Sequence, residues 1–233
     1  MNALSLGGLM IGKVPRVVGT LSSLDALNSF PLSDEKRCDI AEVRLDLIGH
    51  QANWIDGSKA IESSGTPVIL TVRTVAEGGK WFGPEGERLA IFEKSVSLLS
   101  AIDVEFTSGL APKLFAMVKR RSKCLIVSYH DFNQTPEFGK LEDVISKASR
   151  QASVVKITTM VKSEADIQVL QKLLGKDWGV PLCVMGMGSL GTQTRLSFPR
   201  LGSALTYGYL DTPSAPGQLS ARTLVETLRN KPA

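Results

Sequence analysis

Ser153-Val154-Val155-Lys156-Ile157-Thr158 is a run of mostly β-branched residues with a lysine set near its centre. Valine and isoleucine in a short unbroken run specify a strand covered on both faces, as in a parallel sheet. A lysine inside such a strand is costly, because a buried ammonium loses its hydration. Buried lysines commonly escape by losing the proton, and a neutral amine attacks carbonyl carbons. At an ordinary pKa of roughly 10.4, only about one lysine amine in a few thousand is neutral at pH 7. The plainer alternative is a lysine near a strand end, reaching water or pairing with an acidic side chain. Taken alone, the stretch favours that plainer reading; its neighbours change the balance.

Working outward, the same pattern repeats. Cys124–His130 reads as the strand before, and Pro181–Met187 as the strand after, with helices over Leu141–Arg150 and Ser163–Leu174 between them. Ser163 caps the second of these helices, with Asp166 at its fourth position. Earlier strands are expected at Arg16–Leu21, Asp39–Leu47, Pro67–Arg73 and Ile102–Phe106, and an eighth at Ala204–Tyr207. Helices fall at Leu24–Asn28 (behind a Ser22/Ser23 cap), within Trp54–Ser63, at Glu87–Leu99, Leu110–Arg121, Thr192–Leu196 and Leu219–Arg229. Gly7-Gly8 and Gly12 mark a short hairpin over Leu6–Lys13. Eight strand–helix alternations with no linker predict one α/β domain over residues 1–233. The fold expected is a (β/α)8 TIM barrel preceded by a short N-terminal hairpin. An open doubly wound sheet would carry its nucleotide loop after an early strand, and none is present there.

Alternation splits each strand into two faces. Glu42, Arg44 and Asp46 share one face of the second strand, with Val43, Leu45 and Leu47 opposite. Thr71 and Arg73, Asp103 and Glu105, Ser128 and His130, and Lys156 are likewise set against apolar residues. In a barrel the apolar face packs under the helices, so the polar residues converge inside, near the C-terminal mouth. An antiparallel sheet with one wet face alternates in the same way, but the intervening helices argue against it. So many inward charges are too costly to be packing residues and specify a polar pocket.

His130 ends its strand beside Lys156, where an acid–base group would be needed. Glu77, on the loop after the third strand, is a candidate to orient it, set against the solvated carboxylate that a loop ordinarily carries. His50, after the second strand, reads as structural. Gly186-Met187-Gly188-Ser189-Leu190-Gly191 fits G-x-G-x-x-G, yet it lies too late for a dinucleotide domain. With Arg195 following, a carboxylate or phosphate site at a helix N-terminus is the better reading. Ser214-Ala215-Pro216-Gly217-Gln218 follows the eighth strand as a lid with two polar contacts.

Composition narrows the classes. The chain has 233 residues, 43% of them hydrophobic, a net charge of +4 and three scattered cysteines, Cys38, Cys124 and Cys183. The hydrophobic share supports a sizeable core and excludes disorder. The charge is too small to argue for nucleic acid, and Lys119-Arg120-Arg121 reads as a solvated helix end. No Cys/His cluster has zinc spacing, the first ten residues lack a signal peptide's basic region, and no run is long enough to span a membrane. A cytoplasmic protein without nucleic-acid or membrane partners is expected.

At this point the chain resembles type I 3-dehydroquinate dehydratase of the shikimate pathway. The resemblance is carried by Glu42-Val43-Arg44-Leu45-Asp46, Thr71-Val72-Arg73-Thr74 with Glu77-Gly78-Gly79, and Asp103-Val104-Glu105. It continues through Ser128-Tyr129-His130-Asp131-Phe132, Val155-Lys156-Ile157, Met185-Gly186-Met187-Gly188 and Ser214-Ala215-Pro216-Gly217-Gln218. These span nearly the whole chain. The resemblance implies that Lys156 forms a Schiff base with 3-dehydroquinate, that His130 shuttles protons, and that Glu77 orients His130. It implies that Glu42, Arg44 and Arg73 bind substrate hydroxyls, and that Arg195, Ser214 and Gln218 hold the carboxylate and close the lid. Thr20 is a weaker match to a small hydroxyl residue touching substrate. No metal or diffusible cofactor is expected, and the family suggests a homodimer. Thr194 departs from a common serine, and Tyr209-Leu210-Asp211-Thr212 is individual to this chain. The chain ends at Ala233 without the shikimate dehydrogenase domain of some relatives, so one activity is expected. Two rivals remain: a class I aldolase, which also uses a barrel lysine, and an inactive barrel kept as a binding module.

Overall fold

In the computed structural model, residues 4–32, 37–50 and 53–229 are described; both ends of the expected 1–233 domain lie outside the described residues. The hairpin pairs β1 (Leu4–Leu6) with β2 (Leu9–Ile11). Its turn, Gly7-Gly8, has positive φ at both residues, as a tight two-residue hairpin turn requires.

Eight parallel strands follow: β3 (Arg16–Leu21), β4 (Ile40–Arg44), β5 (Val68–Thr71), β6 (Ala101–Glu105), β7 (Cys124–Asp131), β8 (Val154–Met160), β9 (Leu182–Met187) and β10 (Leu205–Tyr209). Each pairs with the next from β3 to β9, and β10 pairs back onto β3. The β9–β10 seam has no continuous ladder. It is stitched by Ala204 N donating to Leu182 O (2.7 Å) and by Ser203 Oγ, which accepts from Val184 N (3.0 Å) and donates to Leu205 O (3.0 Å).

The helices are α1 (Leu24–Ser29), α2 (Leu45–Ile48), α3 (Trp54–Ser63), α4 (Glu85–Ser95), α5 (Ala111–Arg120), α6 (Phe138–Ala148), α7 (Glu164–Leu174), the short α8 (Gly188–Gly191) and α9 (Thr194–Ser197), and α10 (Ala221–Arg229). Local chemistry sets their starts. Ser23 Oγ accepts from Ala26 N, and Ser163 with Asp166 forms a reciprocal capping box. Ile167, Leu170 and Leu173 then line one buried stripe of α7. Outward strand residues such as Val43, Leu70, Val104, Val127 and Ile157 pack in one cluster with Leu114, Leu141, Leu170 and Leu224 of the helices.

Several boundaries differ from the sequence expectation, among them the third barrel strand, which stops at Thr71 short of Arg73. The second barrel strand stops at Arg44 instead of Leu47, because Leu45–Ile48 turns into α2. Asp46 is therefore not an inward strand residue. It reaches back to the Arg44 guanidinium in a two-pronged pair (2.9 and 2.8 Å), a contact that an alternating pattern mimics. Helix α4 ends at Ser95, and Leu98 N and Leu99 N both donate to the Ser95 carbonyl as the chain turns off. The segment expected as one helix over Thr192–Leu196 begins just past the end of α8 and takes in only Thr194–Leu196 of α9.

Inside the barrel, height decides chemistry. The lower inward residues Val18, Ile40, Ile69, Ile126, Val154 and Leu205 form a dry cluster with Leu6 and Ile11 of the hairpin, which plugs the N-terminal end. One pleat higher stand Thr20, Glu42, Thr71, Asp103, Ser128, Lys156 and Tyr207.

Candidate active site

Lys156 lies on β8 opposite Ser128 of β7 and Cys183 of β9. Its Nζ is 3.3 Å from Asp103 Oδ2 and 4.0 Å from the centroid of the Tyr207 ring, with 7% of the side chain exposed. The sequence left open whether this lysine is interior or merely paired; it is both. Asp103 is shared: its Oδ1 also takes Arg73 Nη2 and Ser128 Oγ, each at 2.7 Å. Burial works against the Asp103 charge, but Arg73 and Lys156 outweigh it and hold the carboxyl far below the usual range. Burial likewise opposes the charge of Arg73, and Asp103, Glu105 and Glu77 more than restore it.

Glu77 sits at the end of a 3₁₀ turn after β5. Its Oε2 meets His130 Nδ1 at 2.9 Å and accepts from the His130 backbone N at 3.2 Å, while Thr107 Oγ1 donates to Oε1 at 2.9 Å. With Nδ1 donating to the carboxylate, Nε2 is the basic nitrogen of the ring. Burial raises the Glu77 pKa to about 7, with Arg73 pulling it down. Burial, then Arg73 and Lys156, holds the His130 pKa well below 6.5, so the imidazole is neutral at neutral pH. Gly78 follows with φ +77°, and an added Cβ would lie 2.2 Å from the Phe132 ring, so only glycine fits beneath that ring. Phe132 in turn stacks beside His130 (centroids 6.3 Å apart).

The remaining sequence-predicted residues are brought to the same cavity. Glu42 is fixed by Thr71 Oγ1 (2.8 Å) and Thr20 Oγ1 (2.9 Å), which use one carboxylate oxygen each. Arg44 is held by Asp46. Arg195 donates to the Tyr207 carbonyl (2.9 Å), yet among the described residues it has no carboxylate partner. Its Nε is buried without a hydrogen bond, and burial lowers its pKa to about 10. An unpaired buried guanidinium is a ready receptor for an anion. Ser214 and Gln218 are bonded to each other: Gln218 Oε1 accepts from Ser214 N (2.7 Å) and Oγ (3.2 Å). All ten of Thr20, Glu42, Arg44, Arg73, Glu77, His130, Lys156, Arg195, Ser214 and Gln218 line one concave pocket.

His50, given no catalytic role from sequence, is exposed, set edge-on to Trp81 at 5.2 Å, and takes no part in the pocket. At the glycine-rich stretch the first N–H of α8 is already engaged: Gly188 N donates to the Pro216 carbonyl (3.2 Å), which ties the lid loop down. Its glycines permit close backbone packing instead, since a Cβ on Gly186 would lie 2.8 Å from Gly191 Cα. Thr194, the departure from serine, donates to Gly191 O (2.6 Å) and accepts from Gly186 N (2.7 Å), so the hydroxyl pins this loop. Two residues given no role from sequence also belong to the site. Asp103 sits on the inward face of β6 between two cations, and Tyr207 shares the inward face of β10 with Leu205; alternation carried both signals.

Among the described residues, no group of three or more His, Cys, Asp or Glu is placed to hold a metal ion, and no helix is long and apolar enough to cross a membrane. Fold and site together define the class: a (β/α)8 barrel with a buried lysine, a carboxylate-bonded histidine and an unpaired arginine on one pocket at its C-terminal mouth. Comparison with known proteins then narrows it. The family model for type I 3-dehydroquinase matches residues 18–231. The 3-dehydroquinate dehydratase of Methanocella arvoryzae is 34% identical over 220 residues, covering 92% of this chain and 96% of that protein. The enzyme of the same name from Methanothrix thermoacetophila is 36% identical over 231 residues, covering 98% and 97%. The crystal structure of 3-dehydroquinate dehydratase from Geobacillus kaustophilus is similar with a TM-score of 0.88 at 25% identity, over 97% of this chain and 95% of that one. The chain belongs to the type I 3-dehydroquinase family.

Proposed function

We propose that this chain is a type I 3-dehydroquinate dehydratase, a hydro-lyase that converts 3-dehydroquinate to 3-dehydroshikimate and water within a single barrel domain. The observation that carries the reading is the convergence of Lys156 and the His130–Glu77 pair on one pocket.

Lys156 Nζ adds to the ring ketone, and loss of water from the resulting carbinolamine leaves an iminium. The iminium withdraws electrons from the neighbouring carbon and acidifies its hydrogen. His130, neutral and oriented by Glu77, removes that proton to give an enamine. The enamine expels the hydroxyl on the next carbon, to which the His130 imidazolium returns a proton, and water departs. Hydrolysis of the conjugated iminium frees the ketone product and the lysine. Asp103 and the face of Tyr207 hold the amine on the pocket side before attack. Glu42, Arg44 and Arg73 bind the ring hydroxyls, with Thr20 supporting Glu42. Arg195 takes the carboxylate. Ser214 and Gln218 exchange their mutual hydrogen bonds for bonds to substrate as the lid settles.

The aldolase alternative calls for a phosphate site. The glycine-rich turn spends its first N–H on Pro216, which leaves one backbone donor fewer for a phosphate there. The test is direct: incubate the protein with 3-dehydroquinate and follow ultraviolet absorbance of the conjugated product. Growth of that absorbance supports the reading; none, from folded protein, overturns it.

A further inference from the structure

Among the described residues, Arg88 is the most deeply buried cation that does not face the pocket. It belongs to α4, outside the barrel wall, yet it is 0% exposed. Its Nη1 lies 2.6 Å from Glu105 Oε2 and donates to the Val72 carbonyl (3.1 Å); its Nη2 donates to Ser108 Oγ (2.9 Å) and meets Glu85 (3.0 Å). Glu105 is 1% exposed. Its second oxygen, Oε1, accepts from the Thr74 backbone N at 2.8 Å and lies 3.5 Å from Arg73 Nη1.

Those two contacts lead to the two halves of the chemistry. Arg73 passes through Asp103 to Lys156. Thr74 opens the turn that carries Glu77: its carbonyl accepts from Glu77 N (3.1 Å) and Gly79 N (2.9 Å), and Glu77 then holds His130. A carboxylate this deeply buried is stable only when paired and fully hydrogen-bonded. Glu105 can point one oxygen at the Thr74 turn because Arg88 fixes the other.

We propose that Arg88 is a positioning residue for the reaction, acting through Glu105 to set the Glu77 turn and Arg73, and thereby His130 and Lys156, without touching substrate. The proposal rests on the dehydratase reading for its kinetic arm and on geometry alone for its spectroscopic arm.

The variant Arg88→Met removes the tie. The kcat for 3-dehydroquinate is expected to fall about 10- to 100-fold, the scale of a misplacement near 1 Å, while KM changes by a smaller factor, through the shift of Arg73 alone, because Arg88 itself touches no substrate. The second readout needs no substrate. His130 is one of two histidines in the chain, so its ring signals can be followed by NMR. The ring is surrounded by Glu77, Arg73, Lys156, Asp103 and Arg44. In the wild type burial and the cations keep its titration low; with the turn loosened and Glu105 uncompensated, the midpoint should move up towards 6.5. An unpaired buried Glu105 endangers folding, so Arg88→Met/Glu105→Gln, which buries no unmatched charge, is made in parallel. Amide 105 can still accept from Thr74 but has nothing to aim it. Folded double variant with low kcat and a raised His130 midpoint supports the proposal. Wild-type kcat and an unmoved His130 in either folded variant overturn it. Failure of the wild type to turn over 3-dehydroquinate would instead strike the dehydratase reading, leaving the NMR result to decide the role of Arg88.

Discussion

The two ends of the barrel interior are built from the same eight strands and the same inward face, yet they do opposite work. At the N-terminal end Ile40, Ile69, Ile126, Val154 and Leu205 close around Leu6 and Ile11 of the hairpin. Two residues further along those strands stand Glu42, Thr71, Ser128, Lys156 and Tyr207. The lower layers gain stability from apolar burial, at about 25 cal/mol per Å². The upper layers spend stability on buried charges, tolerated because each cation but Arg195 meets an anion. The lesson is a division of labour by strand height: the foot holds the fold, and the mouth holds reactive groups in place.

Substitutions in the two ends should therefore separate activity from stability. The largest effect is expected from Lys156→Ala. Turnover should fall by at least about 10⁴-fold, as when other covalent nucleophiles are removed, with the circular dichroism spectrum unchanged. Wild-type-like turnover would erase the distinction between mouth and foot. Next comes His130→Ala, with a loss of about 10²- to 10⁴-fold, the usual contribution of a positioned acid–base group. It should still form an adduct with substrate, seen as a mass increase after reduction. Ile126→Ala, at the foot, should cost about 2–5 kcal/mol of unfolding free energy, read by denaturant titration, while kcat at a temperature where it stays folded is preserved. A large loss of kcat there would break the comparison from the other side.

Two smaller effects sharpen it. The His130 pKa is lowered in the fold, so its neutral form contributes stability above its unfolded value near 6.5, and that contribution is lost as pH falls through the folded value. In NMR titration the ring should remain neutral through pH 6.5; a midpoint at or above 6.5 would contradict the electrostatics drawn here. Ser214→Ala removes one neutral hydroxyl from the lid and should raise KM only about 2- to 10-fold, with kcat little changed, as steady-state kinetics would show.

Much of this was legible before any coordinates. Alternation along Val154–Thr158, Cys124–His130 and Ile102–Glu105 separates inward from outward residues, because a strand has only two faces. It failed at Asp46, where an i,i+2 ion pair with Arg44 copies strand spacing although the chain has already turned into α2. The pairing of Lys156 with Asp103 was hidden for a different reason: alternation says which way a side chain points, and register between strands says whom it meets. Arg88 was hidden most deeply. On paper it is one charge among many on a charged helix, and only the packing of α4 over β5 and β6 turns it inward to Glu105. The individual loop before the lid also gained a role from coordinates alone. Asp211 accepts from Ser22 N and Oγ, tying the end of β10 to the end of β3.

The measurement that bears most directly on the account is reductive trapping. The protein is mixed with 3-dehydroquinate, quenched with borohydride, digested, and its peptides weighed. The account predicts one reduced adduct, on the peptide carrying Lys156, absent from Lys156→Ala. An adduct on another lysine, or turnover with no adduct under conditions that reduce iminium ions, would contradict it.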